Sequence, residues 1–439
     1  MNKINIYKFA ILFCLLALKL STSQGHDNVS GYWTGTMTKE DAIMNVSFEF
    51  KNVNGKISGY FNSPIQKASG IPLDNVKVDD KHISFQLMSQ PVTIFKCEIS
   101  ADKIKGDFMQ EGEPNGIIEL TPSEPPEKRF SQIDTTFSNG DITIACRVYL
   151  PDSHGKHPAV VFMHGSGPEG MFANQFYAEQ LASKGIVTLI QDKRGVGKST
   201  GDWTKANYDD LADDYISAVE FLKSFKEVNE KQIGIYGHSQ GGTIAPLVAL
   251  KSNDIAFIMS NAGIGDTLYK QDLYRVENNL RANDFTPDEI SEAMAYYGAW
   301  LNIAKSGSGY DKLDSLNNLA KDKKWLGWVA ALPKDHWIWK WYVGVGNMSF
   351  LKYWDEIKIP VLLVYGEYDS TIPVKVSLEN IDNSLRNNAG NKDVTEIILP
   401  KAQHNLTITP SKGDKFFWWY VSPGLVDTYS SWILERFKN

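Results

Sequence analysis

The sequence predicts an α/β fold: a mostly parallel β-sheet with a helical insertion, preceded by a small all-β domain (a barrel or a sandwich). Three observations predict it. From residue 130 onward, short apolar runs alternate with segments of helical period, the pattern of strands buried on both faces between covering helices. Before residue 122, apolar residues alternate singly with polar ones, as in Val46, Phe48 and Phe50, the period of a strand with one wet face. Between the two regions lies TPSEPPE at 121–127, as stiff and polar as a linker. The 439 residues exceed what one small core organises.

At the start of the chain, Lys3 and Lys8 precede an apolar run over 9–18, and Ser21, Thr22 and Ser23 follow it. This is the pattern of a secretory signal peptide over 1–23, cleaved after Ser23. The apolar run is too short to span a bilayer. A secreted or periplasmic location follows, with no membrane span after cleavage. Cleavage removes Lys3, Lys8 and Lys19 and no acid, which takes the formal charge from −7 to about −10 and disfavours a nucleic-acid partner. Cys97 and Cys146 would remain. Their spacing suits no metal site, and they either pair or stay as buried thiols.

The all-β domain occupies 24–122 and the linker 123–129. Asn54-Gly55 and Asn115-Gly116 supply hairpin turns, and KISGYF at 56–61 is echoed by KIKGDF at 103–108. GYWTG at 31–35 resembles the first strand of lipocalin-like small barrels. No cluster of polar or aromatic residues singles out a glycan or apolar-ligand site, so this domain reads as a structural accessory.

In the second domain, 130–439, a lead-in strand over 142–150 follows an Asn139-Gly140 turn. Apolar strands are expected at 159–163, 186–190, 232–236, 255–259, 361–365 and 395–399. Helices are expected at 176–184, 208–225, 243–250 and 426–437, the second with Leu211, Tyr215, Ala218, Val219 and Leu222 on one face. In such sheets the chemistry sits at the carboxyl ends of the strands.

One strand end carries GHSQGG at 237–242. This is G-x-S-x-G between an apolar strand and a helix start, the context in which a serine is lifted clear of the sheet on a sharp turn. Ser239 is the predicted nucleophile. A serine hydroxyl needs a base, and the base an orienting acid. Two later strand ends supply one each: GEYDS at 366–370 holds Asp369, and KAQHN at 401–405 holds His404. Glu367 and Asp355 are rival acids, but Glu367 follows its strand too closely to reach the histidine. The Gln240 N–H at the helix start would bind an oxyanion. HGSGP at 164–168 would bring a second donor, the Ser166 N–H, with Gly167 as its neighbour; His164 reads as a residue that organises this loop.

DKRGVGKS at 192–199 imitates a phosphate loop. That loop needs its first glycine where this chain has Asp192, and an acid there repels phosphate. Asp192 and Arg194 are instead expected to hold adjacent loops.

Taken in order, these motifs resemble the α/β-hydrolase superfamily. The closer likeness is to bacterial esterases and serine aminopeptidase-like hydrolases that share an Asp-x-Arg-Gly-x-Gly-x-Ser loop. The resemblance covers about 130–439. It implies an eight-stranded, mostly parallel sheet and a triad of Ser239, His404 and Asp369.

Between about 263 and 355 the strand pattern breaks into a helical segment holding seven of the twelve tryptophans. It sits where a cap would cover the serine. Trp337, Trp339 and Trp341 either pack a core that buries the insertion's own helices or line an apolar or aromatic pocket, with FFWWY at 416–420 adding to its wall. The expected activity is hydrolysis of a small carboxylic ester with a hydrophobic or aromatic part, without cofactor or metal. A serine peptidase is the alternative; it needs a cap carboxylate for a free amine, and Glu277, Asp288, Glu289 and Glu292 are available. The third reading, a non-catalytic binding protein on this scaffold, sits poorly with three triad residues present in order.

Overall fold

A computed structural model describes residues 29–437 except 90, 111–112, 330–331, 334, 412–413 and 415–417. The expected signal segment lies outside the described residues. The chain forms two compact units: one runs to Glu127 and includes Pro410–Tyr420, the other comprises Lys128–Thr409 and the residues from Val421 on.

The first unit is a single nine-stranded antiparallel sheet. Its strands are β1 (Gly31–Lys39), β2 (Ala42–Val53), β3 (Lys56–Ser63), β4 (Ala68–Pro72), β5 (Asp74–Val78), β6 (His82–Leu87), β7 (Thr93–Ile99), β8 (Ile104–Gln110) and β9 (Glu113–Ser123). They lie in the order β4-β3-β2-β1-β9-β8-β7-β6-β5, so the first and last long strands pair. Gly35 is obligatory in that pairing, because a Cβ there would sit 1.9 Å from the Glu119 carbonyl oxygen. The core is aromatic: Phe48, Phe50, Phe85 and Phe95 are buried, and the last two stack at 4.6 Å.

Two boundaries differ from those read in the sequence. Ser123 closes β9, so the connection is shorter than expected. The second difference is FFWWY, expected in the hydrolase domain against the pocket. Its described part belongs to the β unit, because the Trp418 ring lies 6.5 Å from Phe108 and the Gln66 side chain donates to the Trp419 carbonyl. Phe416 and Phe417 lie outside the described residues.

The second unit has eight strands: β10 (Phe130–Asn139), β11 (Ile142–Pro151), β12 (His157–Met163), β13 (Val187–Gln191), β14 (Val228–His238), β15 (Phe257–Asn261), β16 (Val361–Gly366) and β17 (Val394–Leu399). Their order is β10-β11-β13-β12-β14-β15-β16-β17. β10 and β11 run antiparallel, and β13 to β17 form a parallel array. The central strands β12, β13, β15 and β16 are buried along their whole length. Helices Phe172–Ala182 and Leu425–Arg436 pack on one face, and Tyr208–Leu222 and Gln240–Lys251 on the other. A capping box of Asn207 and Asp210 starts the helix Tyr208–Leu222.

The insertion between β15 and β16 is helical, as expected. Its long helices are Leu268–Ala282 and Pro287–Ser306; Thr286 and Glu289 cap the second reciprocally, and Pro287 opens it. The insertion has its own core, in which Trp300, Trp325 and Trp339 are each 2–3% exposed. Among the described residues no helix is long and apolar enough to cross a membrane.

Candidate active site

β14 ends at His238, and Ser239 occupies the turn into the helix Gln240–Lys251 with φ +53° and ψ −111°. A side chain in that region is strained. The turn is tight because its flanks are bare: a Cβ on Gly237 would sit 2.3 Å from the Gly241 carbonyl carbon, and one on Gly241 would sit 2.8 Å from the His164 carbonyl oxygen. The Ser239 N–H donates to the Asn261 carbonyl on β15, which pins the turn to the neighbouring strand.

Two other strand ends converge on this serine. His404 Nε2 lies 3.0 Å from Ser239 Oγ, and His404 Nδ1 lies 2.8 Å from Asp369 Oδ2. The Asp369 side chain is fully buried. Its other oxygen accepts the N–H groups of Thr371 and Ile372, each at 2.8 Å, so one oxygen is held by backbone while the other faces the imidazole. The rival acids are engaged elsewhere. Glu367 accepts the Lys401 N–H, and Asp355 accepts from Asn388.

The loop after β12 is held by several side chains. His164 is buried, its Nε2 donating to the Gln191 carbonyl and its Nδ1 facing the Tyr215 hydroxyl. Burial, with Lys193 nearby, pushes its pKa down to about 3 and keeps it neutral. Its role is structural. The Gly165 N–H donates to Glu169. Gly167 has φ +91°, which suits glycine alone.

Lys193 was not singled out by its sequence pattern, yet it is 3% exposed and sits at the centre of this region. Its ammonium donates to the carbonyls of Gly165 (2.7 Å) and Gly167 (2.9 Å) and to Gln240 Oε1 (3.1 Å). Burial lowers its pKa to about 8, against the opposing pull of the Glu169 carboxylate. The only sequence signal was its place at a strand's carboxyl end, masked by the flanking Asp192 and Arg194. Those two hold the loop: Asp192 accepts the N–H groups of Met171 and Lys198, and Arg194 forms a buried pair with Asp214 at 2.7 Å.

The serine opens into a cavity of about 460 Å³ between the sheet's carboxyl edge and the insertion. Ser166, Gly167, Lys193, Gln240 and His404 line its base. Tyr208, Trp337, Trp341 and Tyr342 give it aromatic walls. Trp339 does not reach it. That ring lies 4.4 Å from Trp300 in the insertion's core, because in the helix Ile338–Val345 position 339 faces inward while 338, 341 and 342 line the cavity.

A carboxylate does face the cavity, but it is none of the four acids named from the sequence as available. Asp272 lines it beside Arg275, with 3.1 Å between carboxylate and guanidinium, and the Tyr342 hydroxyl donates to its second oxygen. Burial raises its pKa, and Arg275 and that hydroxyl oppose the rise only in part. Of those four acids, Glu277 pairs with Arg281, Glu289 caps its helix, Glu292 pairs with Lys323, and Asp288 is exposed.

The chain is similar to the esterase EstD of Thermotoga maritima, with 23% identity over 318 residues, covering 68% of this chain and 68% of that protein. It is also similar to the quorum-quenching protein AidA of Acinetobacter baumannii, with 20% identity over 259 residues, covering 57% of this chain and 83% of that one. Among solved structures, Est1E of Butyrivibrio proteoclasticus with bound ferulic acid matches at TM-score 0.42 and 16% identity, over 69% of this chain and 97% of that one. The family model of X-Pro dipeptidyl-peptidases matches residues 139–405, more than half of the chain. The chain thus belongs to the X-Pro dipeptidyl-peptidase (S15) family and is a serine hydrolase of the α/β-hydrolase fold.

Proposed function

We propose that the protein is an exported hydrolase of small carboxylic esters with a hydrophobic or aromatic part, working through an acyl-enzyme without a cofactor. One observation carries this reading: the unbroken hydrogen-bond chain from Ser239 Oγ through His404 to buried Asp369, at the base of an aromatic-walled cavity. Ser239 Oγ attacks the ester carbonyl carbon while His404 Nε2 takes its proton. Asp369 holds the Nδ1–H tautomer and stabilises the imidazolium. The N–H groups of Ser166 and Gln240 receive the developing oxyanion. His404 then protonates the departing alkoxide, and water attacks the acyl-enzyme by the same relay. The apolar run at 9–18 supports export.

Hydrolysis of a p-nitrophenyl ester series from acetate upward, with wild type and Ser239→Ala in parallel, tests this. Wild type should turn over the shorter esters, and the variant should lose about 10³-fold or more. A wild type inert across the series, or an equally active variant, refutes the ester reading. Asp272 favours a second reading, hydrolysis of an amide or ester whose acyl part carries a free amine. A carboxylate in an aromatic cavity pairs readily with an ammonium group, and the family described above includes dipeptidyl-peptidases.

A further inference from the structure

Resting on that reading of the oxyanion site, we propose that Lys193 is a positioning residue: its ammonium clamps the loop after β12 to the residue following the nucleophile and polarises the peptide that presents the Ser166 N–H.

The three contacts carry the argument. The carbonyl of Gly165 and the N–H of Ser166 belong to one planar trans peptide and point in opposite directions. A cation 2.7 Å from that oxygen draws electron density toward it and makes the N–H at the far end a stronger donor. The second contact, to the Gly167 carbonyl at 2.9 Å, fixes the other side of Ser166. The third, to Gln240 Oε1 at 3.1 Å, ties this loop to the helix whose first N–H is the other proposed donor. One buried cation therefore sets the spacing between two donors that come from different strand ends. Arginine, with a longer planar head, does not reproduce this three-way point contact.

The groups facing Lys193 give the inference a pH signature. Glu169 and His164 face it from the loop after β12, the Trp203 ring lies 5.8 Å away, and Asp192 and Arg194 flank it in the chain, held by the partners described above. His164 is neutral, so Glu169 is the opposing charge; His404 in turn acts on Glu169. Lys193 is charged below its pKa of about 8. The clamp is intact there and lost as pH rises through that value.

The test uses the full chain with p-nitrophenyl butyrate, measuring kcat and KM from pH 6 to 10 for wild type, Lys193→Met, Glu169→Gln and Ser239→Ala. Wild type should lose activity along an alkaline limb near pH 8. Lys193→Met should lower kcat by about 30- to 100-fold, less than losing one oxyanion donor outright, with KM within about twofold and no alkaline limb. Glu169→Gln keeps the lysine but removes the charge that raises its pKa, so the limb should move to lower pH; this variant stands even if Lys193→Met fails to fold. A Lys193→Met enzyme within threefold of wild-type kcat that keeps the limb overturns the proposal, and so does an unmoved limb in Glu169→Gln. If Ser239→Ala retains wild-type activity, the underlying reading has failed instead.

Discussion

His238 donates from Nε2 to the backbone carbonyl of His404 across 3.0 Å, so the residue before the proposed nucleophile anchors the backbone of the proposed general base. The two rings lie 5.0 Å apart. The contact joins the end of β14 to the loop after β17, and it holds the imidazole from its backbone while Asp369 holds it from Nδ1. His238→Ala should remove the first restraint and leave the second. The expected outcome is a fall in kcat of about tenfold, since small misplacements of a catalytic group are costly, with KM little changed. His238→Gln, which retains a side-chain donor, should recover part of the loss. Steady-state kinetics on one ester for the three proteins checks the order.

Asp272 separates the two substrate readings. Asp272→Asn keeps the shape and the Tyr342 contact but removes the negative charge. Rates on neutral p-nitrophenyl esters should stay within about threefold. Rates on aminoacyl p-nitrophenyl esters and aminoacyl arylamides should fall by about tenfold or more, as a charge-assisted contact to the free amine is lost. Equal effects on both sets would mean that Asp272 only supports Arg275 and Tyr342.

The site was legible wherever chemistry demands a residue type at a strand end. GHSQGG marked Ser239 because the turn tolerates only bare flanks, and Asp369 and His404, which join it in one hydrogen-bond chain, followed from chain order. Lys193 was not legible because nothing local distinguishes it: only the fold brings the Gly165 carbonyl and Gln240 to one ammonium. Strand β10 was also missed. It is exposed over most of its length, and Phe130 and Phe137, seven residues apart, pack on opposite faces of the sheet, so they show no period-two face. The insertion's tryptophans were visible as a group, but their division between core and cavity depends on which way one short helix is turned.

That division predicts opposite phenotypes for two neighbouring rings. Trp339→Ala should empty a core site beside Trp300 and cost about 3–5 kcal/mol, read as a clear drop in Tm. Trp337 is only partly buried and lines the cavity beside Trp203. Trp337→Ala should barely move Tm but shift the ester chain-length optimum upward by opening the wall. Thermal melts and the p-nitrophenyl ester series, run on both variants, separate the two roles.

The backbone of Ser239 leads to a stability prediction. At φ +53° and ψ −111° a residue with a Cβ is strained by about 1–3 kcal/mol. The strain persists because Gly237, Gly241 and the Asn261 carbonyl surround the turn. Ser239→Ala keeps the Cβ and so keeps the strain. Ser239→Gly releases it, at an entropic cost of about 0.5–1 kcal/mol in the unfolded chain, for a net gain of about 1 kcal/mol over alanine. In a domain of this size that corresponds to about 2 °C in Tm. Both variants should be inactive, so only stability distinguishes them. A glycine variant melting at or below the alanine variant would show that this turn costs the fold nothing, and that Ser239 is presented without stored strain.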